Sequence, residues 1–196
     1  MAQTDYADRE YAQLEPLSHD HHAGLVKAIE DGNLYEPWYT FMPEPEEVTR
    51  EIDRRLGLRF FGSMMPFTVF DSEDRIVGMT TYMTLDAAHR NGATWYSNRV
   101  QRTPLNTQCK TAPSESCLRG SEVQRSRIRH AFFNHRSRRA IERLGAKRDG
   151  ILRNHQIAPN GTLRDTVVYS IIASEWETVK AHLTYQLEGK HFDITK

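Results

Sequence analysis

Apolar residues recur along this chain in two periods, and each change of period marks an element. Residues 13–17 alternate as a short strand. Leu25, Val26 and Ile29 share one face of a helix predicted over 22–31, which Gly32 and Asn33 stop. Val48, Ile52 and Leu56 repeat at a spacing of four in a second helix, opened by Pro43, Glu44, Pro45, Glu46 and Glu47 and ending near Gly57. Strands are predicted over 66–70 and 76–83 around the polar turn at 71–74, and another over 93–100. Residues 148–157 and 163–173 form a hairpin around Pro159, Asn160 and Gly161. Ser174 and Glu177 read as a capping box for a last helix through about 185. The order β-α-α-β-β-β, a gap, then α-β-β-α predicts an α/β fold with helices on both faces of one sheet.

Between the hairpin and the gap lies a helix with both ends marked. Asn134 is an N-cap residue, Ala140, Ile141 and Leu144 make one apolar stripe, and Gly145 supplies the left-handed residue after the last turn. The other face carries Arg136, Arg138, Arg139 and Arg143, a pattern suited to an anionic ligand.

Asn134, Ser137, Glu142, Gly145 and Ala146 fit the pattern N-x-x-S-x-x-x-x-E-x-x-G-[FA], and the fit continues through residues 148–153 and the hairpin. Upstream it takes in Leu14, Glu15, Pro16 and Leu17 and the strand from 75 to 83. In these segments the chain resembles the GNAT N-acetyltransferase superfamily, in its RimJ/RimL-like branch, over about four fifths of its length. The resemblance implies a mixed, mostly antiparallel sheet with helices on both faces, splayed between the fourth and fifth strands. It implies transfer of an acetyl group from acetyl-CoA to a primary amine, either a small amine or a protein N-terminus. Acetyl-CoA would be the co-substrate, and no metal is expected.

The resemblance also implies residue roles. Asn134 would contact the pantetheine arm, and Ser137 would donate a proton to the departing thiolate; both also serve as helix-start residues. The loop Gln101, Arg102, Thr103, Pro104, Leu105, Asn106, Thr107 looks like the family's [RQ]-x-x-G-x-[GA] phosphate loop. Pro104 and Asn106 stand where glycines usually do, and Pro104 has no N–H to offer. Gln101, Arg102, Leu105, Asn106 and Thr107 would hold the coenzyme there, provided a helix starts after Asn106. Arg138 and Arg139 would meet its phosphates or remain solvated surface charges. Trp38, Tyr39, Trp95 and Tyr96 would line the acceptor pocket or belong to the core. The family often places a glutamate base on the fourth strand; the predicted strand at 93–100 has none.

One segment conflicts with this frame. Residues 110–130 lack an apolar pattern: Pro113 would break a buried helix, and the alternating arginines of 124–129 do not read as a core strand. Translated one nucleotide forward, codons for residues 111–131 can spell LRLLSHAFEALRCNAVEFGTH. That string holds an amphipathic helix and a strand-like AVEF, and it rejoins Phe132, Phe133 and Asn134 without a change in length. The expectation is a frame-shifted insert at 111–131. It would leave either a normal enzyme misread at this stretch or a catalytically inactive GNAT-like protein or binding module whose coenzyme site is disrupted.

Bulk properties add little more. The 196 residues suit a single domain over 1–187 with a polar tail at 188–196. Twenty-six basic residues balance 26 acidic ones, so no global field favours nucleic acid or an acidic membrane. Cys109 and Cys117 do not make a disulfide framework. No signal peptide or spanning segment is apparent, which points to the cytoplasm. His19, His21 and His22 beside Asp20 read as helix-start caps rather than metal ligands. Homodimer formation is left open.

Overall fold

The computed structural model describes residues 10–86, 89–109 and 125–188. Strand β1 (Gln13–Pro16) is followed by helices α1 (His22–Glu30) and α2 (Val48–Phe60), then by strands β2 (Met64–Phe70), β3 (Ile76–Asp86) and β4 (His89–Tyr96). Residues 104–109 are helical and are named α3. Strand β5 (Arg125–Ala131) leads into α4 (His135–Arg143), the hairpin β6 (Lys147–Ile157) and β7 (Leu163–Ile172), and α5 (Trp176–Leu187). One seven-stranded sheet runs β1-β2-β3-β4-β5-β7-β6. Every neighbouring pair is antiparallel except β4 and β5. This is the α/β, mostly antiparallel arrangement expected.

Three apolar clusters hold the sheet between its helices. Leu25 and Ile29 of α1 and Val48 and Ile52 of α2 pack on Leu17 and Met79. Leu105 and Cys109 of α3 join Phe67, Val69, Val77 and Val100. Ile141 of α4 and Leu144 just past its end meet Trp176, Val179 and Leu183 of α5 across Val167, Tyr169 and Ile171 of β7. The last cluster explains the stripe on the basic helix, since a short helix gains most of its stability from one packed face. Gly78 is required where β3 and β4 approach, because a Cβ there would run into the Trp95 carbonyl.

Several boundaries differ from expectation for identifiable reasons. The strand expected at 93–100 starts at His89 and ends at Tyr96. Beyond it the Asp31 carbonyl accepts from Asn98 N (3.0 Å) and the Asp31 carboxylate from Arg99 N (3.0 Å), bending the chain into a 3-10 turn. Helix α2 runs past Gly57 to Phe60; the glycine lies in open space, so it costs only its intrinsic penalty of about 1 kcal/mol. The capping box at Ser174 and Glu177 does not form. A 3-10 turn at Ala173–Glu175 moves the helix start beyond Ser174, and the Glu175 carboxylate instead accepts from Lys147 Nζ at 2.5 Å.

The arginine-rich segment is the largest correction. Residues 125–131 do form a central strand, paired with β7 over its whole length and with β4 over its first part. Backbone ladders tolerate any non-proline side chain, and Arg125 meets Asp149 at 3.5 Å, but only Ala131 of this strand is buried. The remainder of the gap, with the interrupted helix at Pro113 and the shifted helix, lies outside the described residues, as do 189–196 of the expected tail.

Candidate active site

The sheet opens in its middle. Pairing between β4 and β5 begins at His89↔Arg125 and ends at Gly92↔Ile128. Past that rung β4 stays with β3 as far as Tyr96, and β5 stays with β7 as far as Ala131. The two strands therefore separate, and the β4 edge from 93 to 96 faces the gap with backbone groups that a neighbouring strand would otherwise satisfy. Thr80 and Thr94 share a 2.8 Å hydrogen bond on this part of the sheet.

Beyond β4 the chain reaches the loop at 101–107. Gln101 Nε2 donates to the Tyr96 carbonyl at 3.1 Å, and Arg102 is left-handed at φ +67°. Thr103 Oγ1 donates to the Val100 carbonyl at 2.7 Å. Helix α3 starts at 104, not after Asn106, so Pro104 occupies the first turn, where its missing N–H costs nothing. The N–H groups of Leu105 and Asn106 fall in that same turn, where a helix leaves its amides without internal acceptors. Leu105 and Thr107 are buried, so any contact they make with a ligand is through backbone.

Past β5 stands the basic helix. Asn134 Oδ1 accepts from Ser137 N at 3.0 Å, and Gly145 is left-handed at φ +88°, so both ends are as the sequence predicts. The arginines divide. Arg138 turns inward: Nε donates to the Tyr169 hydroxyl (3.1 Å), Nη1 to the Phe132 carbonyl (2.9 Å), and the guanidinium lies 4.9 Å from the Phe132 ring centre. Tyr169 in turn donates to Glu142 at 2.9 Å. Burial first holds the Tyr169 phenol above its ordinary pKa, with Arg138 pulling it down and Glu142 pushing it up. Arg139 is exposed in the middle of the same helix.

The four aromatics divide as well. Trp95 packs against the α1–α2 cluster, and Tyr96 lies in the α3 cluster. Burial, then the nearby Cys109 and Tyr82, hold the Tyr96 phenol well above its usual value. Trp38 and Tyr39 instead sit on the loop between α1 and α2, and Trp38 lies 5.6 Å from Phe133, the residue before Asn134. Two members of this group were not legible in the sequence. Arg164 of β7 donates to the Tyr39 carbonyl at 3.2 Å and lies 4.7 Å from the centre of the Phe41 ring. No spacing in the chain links residues 38–41, 133 and 164; only the sheet joins them.

His21 accepts from Ser18 N and lies 2.7 Å from Thr68 Oγ1, so it serves as a cap as expected, and His19 pairs with Asp53 at 2.7 Å. Among the described residues no helix is long and apolar enough to cross a membrane.

No protein-family model and no curated protein sequence matches this chain. Solved structures do. A presumed acetyltransferase shares 25% identity over 95% of this chain and 99% of its own, with a TM-score of 0.82. A GCN5-related N-acetyltransferase from Brucella melitensis superposes at 0.80 with 23% identity, covering 95% and 87%. RimL, a ribosomal L7/L12 alpha-N-protein acetyltransferase solved in complex with coenzyme A, superposes at 0.72 with 14% identity, covering 85% and 97%. The chain thus shares the fold of these acetyltransferases, with the open β4–β5 junction and the capped α4 beside it, and is an N-acetyltransferase by resemblance only.

Proposed function

We propose that this protein transfers an acetyl group from acetyl-CoA to a primary amine, by direct attack of the amine on the thioester. The observation that carries this reading is the opening after Gly92↔Ile128, flanked by α3 at the end of β4 and by α4 at the end of β5. An extended pantetheine arm suits the open β4 edge, which can pair with its amides as a strand would. The first-turn amides of Leu105 and Asn106, with Gln101, Arg102 and Thr107 around them, suit a pyrophosphate. Arg138 and Arg139 of α4 would add positive charge for its phosphates.

In the reaction the amine nitrogen forms a bond to the acetyl carbon and the carbon–sulfur bond breaks. The thiolate leaves with the bonding pair, and the ammonium product gives up one proton. We assign to Ser137, in the first turn of α4, the proton that the thiolate takes up, and to Asn134 the arm beside it. A water-relayed base suits the amine, since β4 carries no carboxylate. The acceptor is a small amine or a protein N-terminus, the second being the substrate type of RimL.

A second reading has its own support. Strand β5 carries Ser126, Ile128 and His130 toward a core of Ile171, Tyr169 and Val167, a weak apolar contribution for a central strand. On that ground the chain is an inactive GNAT-like protein or binding module. Thermal melting separates the two. Acetyl-CoA at 100 times its Kd adds about 2.7 kcal/mol to a competent fold. An unchanged melt at millimolar coenzyme favours the inactive reading.

A further inference from the structure

The guanidinium of Arg164 is the one feature beside the cleft that the reaction above does not use. Its Nη1 donates to the Tyr39 carbonyl, its plane stacks on Phe41, and its Nε is buried with no hydrogen-bond partner among the described residues. No described ion pair involves it. Burial lowers its pKa. A half-buried cation lacking an anion is expensive unless a ligand supplies one.

The sheet fixes where that anion would sit. Ala131 pairs with Thr166, and Phe132 N donates to the Asp165 carbonyl at 3.0 Å; Phe133 lies in the turn that follows, its ring 5.6 Å from that of Trp38, whose neighbour Tyr39 accepts from Arg164. Asn134 follows directly. Trp38 and Phe133, exposed at 42% and 53%, lie with their rings tilted at 51° to each other, and Phe41 is exposed at 54%. The shelf of three rings is larger than a lone amine would cover, which favours a chain. A chain extended across these rings from an amine held near Asn134, at about 3.3 Å per residue, would carry its first one or two side chains toward Arg164.

Resting on the acetyltransferase reading, we infer that the acceptor is a peptide N-terminus with Asp or Glu one or two residues after the amine. Its carboxylate pairs with Arg164, and its apolar atoms cover Trp38 and Phe133. Arg164 is thus a specificity residue, distinct from the groups placed around the thioester.

The test compares short, C-terminally amidated peptides beginning Ser-Glu and Ser-Gln, titrated calorimetrically into the full chain without coenzyme. The acidic peptide should bind about tenfold more tightly, as a charge-assisted pair implies, and Arg164→Met should abolish the difference. Equal affinities in the parent, binding of neither peptide, or a preference that survives in Arg164→Met would overturn the inference. The parent comparison needs no variant to fold. Acetyl-CoA binding, read separately by melting, tests the acetyltransferase reading: stabilisation by coenzyme with equal peptide affinities removes only the Arg164 assignment.

Discussion

Gly92 and Ile128 form the last rung between β4 and β5. Both strands continue beyond it, each held by its other neighbour, so the opening is built into the pairing and needs no ligand to prop it apart. Amides that close a sheet are protected from solvent exchange, whereas those facing an opening are not. Acetyl-CoA should therefore slow hydrogen exchange in the peptide covering 93–96 while leaving that covering 64–70 unchanged. Equal protection with and without coenzyme would place the coenzyme elsewhere.

Asn134 has two tasks that substitution can pull apart. As a cap on Ser137 N its loss in Asn134→Ala costs about 1 kcal/mol, a fall of roughly 2–4 °C in melting temperature for a chain of this size. Asn134→Asp keeps an acceptor at the cap and should melt like the parent. If Asn134 also holds the pantetheine arm, both variants lose acetyl transfer, because a carboxylate cannot donate as the amide does. Turnover that tracks the melting temperature alone would leave Asn134 a cap only.

Tyr96 sets an alkaline limit. Its phenol is held well above the ordinary value, first by burial and then by Cys109 and Tyr82. In the unfolded chain it ionises near pH 10. Its contribution to stability is thus complete below about pH 10 and is lost as pH rises toward the folded-state pKa. Melting temperature should fall above about pH 10, and Tyr96→Phe should flatten that fall while changing little at pH 8. An identical alkaline slope in the variant would assign the effect to other groups.

Much of this fold could be read from local pattern. Leu25 with Ile29, Val48 with Ile52, and the turn at Gly161 each carry their signal within a few residues, and each formed where expected. Asn134 and Gly145 did so for the same reason, since caps are local chemistry. What failed depended on distant partners. Trp95 and Tyr96 read as pocket or, more often at strand spacing, core, and the helices packed over them decide for core. Arg138 read as a phosphate contact or a solvated charge, and Tyr169, thirty-one residues away, takes it inward. The Arg164 cluster needed three separate segments, and no single window contains it.

Strand β5 links the arginine-rich stretch to the geometry of the sheet. Its residues 126, 128 and 130 stand opposite Ile171, Tyr169 and Val167, all buried, and so lie on the core face. The chain places Ser126, Ile128 and His130 there, with Arg125, Arg127 and Arg129 on the other face. Translated one nucleotide forward, the same three core positions become Val, Phe and Thr, and the arginines become Ala, Glu and Gly. An apolar pair thus falls on the face that needs it, in the register of the sheet. We therefore expect the DNA to carry GCG at Ala112, the codon that yields arginine in the shifted frame, with compensating single-base changes near 110 and 131. A chain rebuilt with the shifted string at 111–131 should melt higher and bind acetyl-CoA more tightly, each buried Val or Phe contributing about 1.5–3 kcal/mol. Any other codon at Ala112, or a rebuilt chain that melts no higher than the original, would show the arginine-rich strand to be the protein's own.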